Sequence, residues 1–235
     1  MNIRHLILAA LAAAVLPASA QQLVVPDTIA QRALACVACH GKEGRATSEG
    51  FFPRIAGKPS GYLYNQLLNF QQGRRQYPLM TYLVAHMSDD YLREIADYFS
   101  SQHPPYPAPT PSRMSGAALE RGRALALSGD ASKKIPACVA CHGQALGGQL
   151  PATPGLLGLP RDYLNAQLGA WKNGTRRAAA PDCMAQVSKQ LSPEDAAAVA
   201  GWLAAQPVPA TMAPEPATSI RLPLACGSVP QSHGQ

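Results

Sequence analysis

The sequence has few charges, few aromatic side chains and no long apolar run. Only 14% of its 235 residues are charged and 6% are aromatic, whereas proline and glycine occupy 22 and 19 positions. No segment approaches the ~18 apolar residues of a membrane span, and no stripe of basic and aromatic residues suggests nucleic-acid binding. Six cysteines are too few for a disulfide-dense scaffold. The 47% of apolar residues can form cores, but these cores are rich in alanine, and some other group is needed to fill them.

The N-terminus has the pattern of a secretory signal peptide over residues 1–20. Arg4 precedes an apolar run from Leu6 to Leu16, and small residues ending at Ala20 form a cleavage site. This pattern predicts export to the periplasm and a mature chain that begins at Gln21. In that oxidising compartment, cysteines without another role can pair.

An internal repeat is the strongest organisational signal. The hexapeptide Cys-Val-Ala-Cys-His-Gly occurs at 36–41 and at 138–143, about 102 residues apart. A second pattern, Pro-x₃-Gly-x₄-Tyr-Leu-x₂-Gln-Leu, starts at Pro53 and again at Pro154. A period of this length indicates a duplicated domain.

Proline-rich segments separate the predicted units. Five prolines fall within eight positions from 104, which predicts an extended linker. A second proline-rich stretch after the repeat is interpreted as an appendage of the second domain. The predicted organisation is a signal peptide 1–20, a first domain 21–103, a linker 104–112, a second domain 113–206 and a C-terminal tail 207–235.

The sequence of each copy predicts several short helices and no strand, so the predicted fold class is all-α. Serines predict helix starts at 88, 115 and 192, and glycines at 73 and 174 predict helix ends. The predicted helices are 27–34, 60–72 and one from 88 in the first copy, and 115–127, 161–172 and one from 192 in the second.

The motif C-x-x-C-H is the attachment signature of c-type haem. Two thiols three residues apart can form thioethers with the vinyl groups of one porphyrin, and the next residue can ligate the iron. A thioredoxin-like pair or half of a zinc site would need neither the histidine nor the downstream repeat. The sequence thus predicts two covalently attached haem c groups, with attachment through Cys36, Cys39, Cys138 and Cys141 and with iron ligands His40 and His142.

A low-spin electron carrier needs a sixth ligand on the opposite face of each iron. Met80 and Met184 follow their motif histidines by about 40 residues and align with each other in the repeat. His86 and Met87 are rivals in the first copy. Met87 aligns with an apolar position, Leu191, which favours a core role, and His86 has no histidine counterpart.

Each motif histidine also needs an acceptor for its Nδ1 proton, because this hydrogen bond fixes the ring. Pro53 and Pro154 follow the histidines by 13 and 12 residues, and their carbonyl groups are candidate acceptors. Four further repeated residues are interpreted as core or haem-wall packing and receive no chemical role: Tyr62, Tyr163, Gln66 and Gln167.

These features together resemble the cytochrome c4 family of dihaem cytochromes over residues 30–206. The tandem C-x-x-C-H motifs, the repeated helix pattern and a methionine seven residues before the last helix carry the resemblance. It implies two cytochrome c folds with His/Met iron, related by an approximate two-fold axis, with haem propionate edges facing each other. It also implies a periplasmic electron shuttle whose partners are a quinol-oxidising complex, a periplasmic dehydrogenase and a terminal oxidase.

Cys183 and Cys226 remain after haem attachment. The simplest pairing is a disulfide that ties the tail to the second domain. The alternative is that Cys183 ligates the second iron as a thiolate, which would make that haem catalytic.

Three functions follow from these alternatives. The leading prediction is a non-enzymatic electron carrier with both axial positions of each iron filled. The enzyme alternative is a dihaem peroxidase or sulfur-compound dehydrogenase with an atypically ligated second haem. The third is an electron-entry subunit held by a dehydrogenase, with the tail as its docking segment.

Overall fold

The chain folds into short helices, and the predicted all-α class is confirmed. The computed structural model describes residues 25–47, 50, 52–109, 111–210, 212–216 and 222–230. The predicted signal peptide, residues 1–20, lies outside the described residues.

Five α-helices of the first copy lie within the described residues. Ser88 caps the last of them by accepting a hydrogen bond from the Tyr91 amide, as predicted. The helix expected at 27–34 is wrong in its bounds, because the chain turns at Ala33, which is buried and separates two helices. The helices are α1 (Ile29–Arg32), α2 (Leu34–His40), α3 (Ser60–Gln71), α4 (Pro78–Val84) and α5 (Asp89–Ser100).

The second copy repeats this arrangement. Ser115 and Ser192 cap their helices through side-chain oxygens, as predicted. Gly73 and Gly174 follow the equivalent helices with φ angles of 69° and 80°, a conformation that favours glycine. The helices are α6 (Gly116–Leu127), α7 (Val139–His142), α8 (Arg161–Lys172), α9 (Cys183–Gln190) and α10 (Pro193–Ala205).

A small antiparallel sheet departs from the expectation of no strands. Its strands β1 (Gly148–Gln149) and β2 (Thr153–Pro154) have two residues each, too few to produce a period-two pattern in the sequence. Glu215 of the tail forms a parallel bridge with Gln149. The tail therefore packs along the edge of this hairpin.

Each copy has its own hydrophobic core. In the first copy α3 packs on α5, and Leu92 and Phe99 are almost fully buried. In the second copy α10 packs on α6 and α8, with Leu125 and Leu203 buried between them. The helices α6 and α10 approach so closely that a Cβ atom on Gly122 would overlap the Ala198 backbone.

The linker is extended and packs on the first copy. The guanidinium of Arg54 donates hydrogen bonds to the carbonyl groups of Pro104 and Pro105 and stacks 3.8 Å from the centre of the Tyr106 ring. The domain limits at 103, 112 and 206 stay predictions.

Candidate haem-binding sites

Both C-x-x-C-H motifs lie on a helix that ends at the histidine. In the first copy, Cys36 and Cys39 lie three residues apart on α2, so both thiols lie on one side of the helix. The helix ends at the buried His40, and Gly41 follows with a φ angle of 74°. The motif of the second copy has the same arrangement around the shorter helix α7.

Each motif histidine is held by the proline carbonyl that the sequence analysis selected. His40 Nδ1 lies 2.9 Å from the Pro53 carbonyl oxygen, and His142 Nδ1 lies 2.7 Å from that of Pro154. Since a carbonyl only accepts hydrogen bonds, Nδ1 carries the proton and Nε2 keeps a lone pair for a metal. Burial lowers the pKa of both histidines, although the carbonyl contact opposes this effect. Both environments therefore favour the neutral ring that a metal ligand requires.

Three of the motif thiols lie in surroundings unlike those of an activated thioredoxin-type cysteine. Burial raises the pKa of Cys36 and Cys141 and raises that of Cys138 to about 11. Catalytic thiols in C-x-x-C redox motifs have lowered pKa values instead. The environment of these cysteines does not favour the redox-pair alternative.

One continuous cavity of about 870 Å³ joins the two motifs. Met80 on α4 and Met184 on α9 both line it, together with the motif cysteines and histidines. Met87 also lines the cavity and packs against the core of the first copy, as expected. His86 is exposed and is not among the lining residues. The helices α4 and α9, which the sequence analysis did not predict, position the two methionines.

A disulfide joins Cys183, the first residue of α9, to Cys226 of the tail, with a Cα–Cα distance of 5.0 Å. The sulfur of Cys183, the residue before Met184, is thus bonded to the Cys226 sulfur. Leu222, Leu224 and Val229 of the tail line the cavity on either side of this bond. The tail covers the methionine side of the second site.

The tail also contacts the first copy, so its description as an appendage of the second domain alone is incomplete. Asn65 on α3 donates a hydrogen bond from Nδ2 to the Ser228 carbonyl oxygen at 2.9 Å. This contact joins residues 163 positions apart, and no local pattern could have indicated it.

The two copies meet through a short antiparallel bridge between Arg75 and Arg176. The Gln76 amide donates a hydrogen bond to the Thr175 carbonyl oxygen at 2.9 Å. The Arg177 amide donates one to the Arg74 carbonyl oxygen at 2.7 Å. The arginines occupy equivalent repeat positions. The bridge therefore joins equivalent positions of the two copies.

The Arg176 guanidinium is buried in this interface. It donates to Gln167 Oε1 at 2.7 Å, to Gln66 Oε1 at 2.9 Å and to the Tyr62 hydroxyl at 3.2 Å. Burial raises the pKa of Tyr62, but the charges of Arg176 and Arg75 outweigh it and lower the pKa overall.

Arg75 makes the symmetry-equivalent contacts. It donates to Gln66 Oε1 at 3.0 Å, to Gln167 Oε1 at 2.8 Å and to the Tyr163 hydroxyl at 3.2 Å. The four repeated tyrosines and glutamines line the cavity, as their interpretation as packing residues expects, and they also join the two domains. The recurrence of arginine at equivalent repeat positions was the signal that could have identified this network.

The residues around the cavity fit haem c. The lining offers apolar side chains, thiols at the spacing for vinyl attachment and two neutral imidazoles. Arg75 and Arg176 also line it, and no carboxylate pairs with either arginine among the described residues. Uncompensated cations beside an apolar cavity suit a porphyrin that carries propionates. Two such sites in an all-α chain define a tandem c-type cytochrome.

Comparison with known proteins identifies the family. The chain is 39% identical over 180 residues to the thiosulfate dehydrogenase electron acceptor of Thiomonas intermedia, which covers 76% of this chain and 82% of that protein. It is 31% identical over 174 residues to cytochrome c4 of Pseudomonas aeruginosa, covering 73% and 84%. The chain therefore belongs to the dihaem cytochrome family that contains cytochrome c4 and the thiosulfate dehydrogenase electron acceptors. No protein-family model matches it.

A solved structure agrees with this assignment. The thiosulfate dehydrogenase TsdBA of Marichromatium purpuratum superposes with a TM-score of 0.66 at 32% identity. The match covers 73% of this chain but only 36% of that one.

The chain is accordingly an electron-transfer protein that carries two covalently attached haem c groups. It consists of two tandem cytochrome c domains, as the resemblance implied. None of the described helices is both long and apolar enough to cross a membrane.

Proposed function

We propose that this chain is a periplasmic electron acceptor for a dehydrogenase of the thiosulfate dehydrogenase type and passes single electrons on to a terminal oxidase or another acceptor. The observation that carries the proposal is the 39% identity, over 76% of this chain, to a thiosulfate dehydrogenase electron acceptor. The predicted signal peptide at residues 1–20 supports the periplasmic location.

The proposed iron ligands are His40 with Met80 and His142 with Met184. Bound haem c supplies one-electron oxidation and reduction at its iron. The protein anchors each histidine by its proline carbonyl and presents a methionine from a separate short helix to the same cavity. Methionine ligation raises the reduction potential and leaves no position for a substrate. This arrangement favours electron transfer without catalysis.

Arg75 and Arg176 are proposed to hold the propionates at the domain interface. Both guanidinium groups line the cavity and interact with neutral side chains from both domains. A propionate would supply the missing negative charge. Arginines at this interface would hold the propionates of the two haems near the boundary between the domains.

A permanently attached electron-entry subunit is the second candidate. It is favoured by the similarity to TsdBA, of which this chain matches about a third. The dihaem enzyme with thiolate ligation is less favoured, because the Cys183 sulfur forms a disulfide.

The test is reduction of the oxidised holoprotein by a purified thiosulfate dehydrogenase and thiosulfate, followed by haem absorption. We expect reduction that depends on both the dehydrogenase and thiosulfate. A rate equal to that with thiosulfate alone would contradict the proposed donor. Size-exclusion chromatography of the mixture at high salt separates the candidates, since a shuttle elutes alone and a subunit elutes with the enzyme.

The methionine assignments have their own test. Met80→Ala is expected to abolish the methionine-to-iron charge-transfer band of one haem only. The matched controls His86→Ala and Met87→Leu should keep both bands. Loss of a band in either control, with retention in Met80→Ala, would reassign the ligand.

A further inference from the structure

Lys58 is a buried lysine at the interface between the two domains. Only 4% of its surface is exposed, although it belongs to the loop between Pro53 and α3 of the first domain. Its ammonium group donates a hydrogen bond to the carbonyl oxygen of Gly155 in the second domain at 2.8 Å. A cation from one domain is thus held inside the other.

The acceptor of this bond lies next to the proposed second haem site. Gly155 directly follows Pro154, whose carbonyl fixes the His142 ring. Lys58, Gly155, Pro154 and His142 all line the same cavity. The ammonium group is therefore bonded to the residue that directly follows Pro154, whose carbonyl orients His142.

No carboxylate forms a salt bridge with Lys58 among the described residues, and the charge that acts on its pKa is the like charge of Arg54. Burial, with a smaller contribution from Arg54, lowers the pKa of Lys58 to about 7. A titration below pH 7 favours its charged form, and the field of a buried cation is weakly screened.

The first haem site has a different buried cation, because Arg54 directly follows Pro53 and lines the cavity, but its guanidinium is bonded to the linker carbonyls of Pro104 and Pro105. The repeat aligns Lys58 with Leu159, a buried apolar residue, so the contact runs in one direction only. The two domains also pack closely at the start of α3. A Cβ atom on Gly61 would lie 2.7 Å from the Pro151 carbonyl oxygen of the second domain. The first domain thus fits closely against the loop that contains Pro154.

We propose that Lys58 is a positioning residue that raises the reduction potential of the second haem from within the first domain. A ferric site carries one more positive charge than a ferrous site, so a nearby buried cation favours the ferrous state. The effect is larger at the second haem because the ammonium group contacts the second domain. Docking of the domains thereby gives the second haem a higher potential than it would have without Lys58.

This inference rests on the proposed role of His142 as the ligand of the second iron, and it needs no dehydrogenase for its test. A spectroelectrochemical titration of the purified holoprotein at pH 6 gives two midpoints. Met184→His, which replaces the proposed methionine ligand with imidazole, lowers one of them and so identifies the second haem. Failure of the proposed donor would leave this measurement unaffected.

The decisive variant is Lys58→Met, which removes the charge and keeps much of the side-chain volume. We expect a lower midpoint for the second haem and a smaller shift, or none, for the first. Lys58→Arg should restore the midpoint of the second haem towards the wild-type value. Lys189→Met, which removes an exposed lysine from α9, is the matched control and should leave both midpoints unchanged.

Three results would overturn the proposal: an unchanged second midpoint in Lys58→Met, a larger shift at the first haem, or the same shift in Lys58→Arg as in Lys58→Met. Lys58→Gln removes the charge but keeps a hydrogen-bond donor. If Lys58→Met does not assemble, the two midpoints of Lys58→Gln are judged by the same criteria.

Discussion

Removal of the Cys183–Cys226 disulfide tests whether the tail stabilises the second domain. The double variant Cys183→Ser/Cys226→Ser removes the bond without leaving a free thiol beside Met184. The tail would then be held only by its non-covalent contacts, such as the hydrogen bonds from Asn65 to Ser228 and from Gly227 to Pro181.

The expected loss follows from the length of the closed loop. The two cysteines are 43 positions apart, and in the chain-entropy description closing such a loop stabilises the folded state by about 4 kcal/mol at 25 °C. The Cα–Cα distance of 5.0 Å lies in the normal range for disulfides.

Urea unfolding followed by tryptophan fluorescence measures this change, because both tryptophans, Trp171 and Trp202, belong to the second domain. We expect the free energy of unfolding of this domain to fall by about 4 kcal/mol in the double variant. Asn65→Ala is the matched control, since it removes one tail contact and keeps the disulfide; its expected cost is about 1 kcal/mol. A free energy of unfolding of the double variant within about 1 kcal/mol of the wild-type value would refute the reasoning.

Three further predictions concern the interface, the second domain and the first core. Arg176→Met should lower the free energy of unfolding by about 2 to 3 kcal/mol in urea titrations, since it removes three hydrogen bonds donated by a buried guanidinium group while Arg75 remains as a donor to both glutamines; the exposed neighbour variant Arg177→Met should have little effect. The hydrogen bond from Arg121 and that from Lys133 lower the pKa of the buried Asp195 to about 2 from 3.8. This carboxylate therefore stabilises the fold above about pH 4, and up to about 2 kcal/mol is lost as the pH falls towards 2. Acid unfolding curves of Asp195→Asn should lack this loss, and an unchanged pH dependence would contradict it. Leu92→Ala, at a fully buried site, should cost about 2 to 5 kcal/mol by thermal or urea unfolding, and a cost below 1 kcal/mol would show that the site collapses around the smaller side chain.

Much of the fold follows from local sequence patterns. Ser88, Ser115 and Ser192 begin helices because their oxygens satisfy free amide groups at the first turn. The motif residues and the two prolines could be selected because their spacing recurs in both copies. By contrast, α4 and α9 were not predicted, because each is only seven or eight residues long and too short for a clear helical period.

The sequence by itself determined the duplication, the attachment motifs, the candidate ligands and the helical class, because each depends on residues close together in the chain or on the repeat. Only the tertiary structure decided which contacts form between the domains. It paired Arg75 with Arg176, brought Lys58 to Gly155 over 97 positions and placed the tail against Asn65. Such contacts depend on which surfaces meet when the two modules bury their shared cavity, and no short-range spacing records that choice.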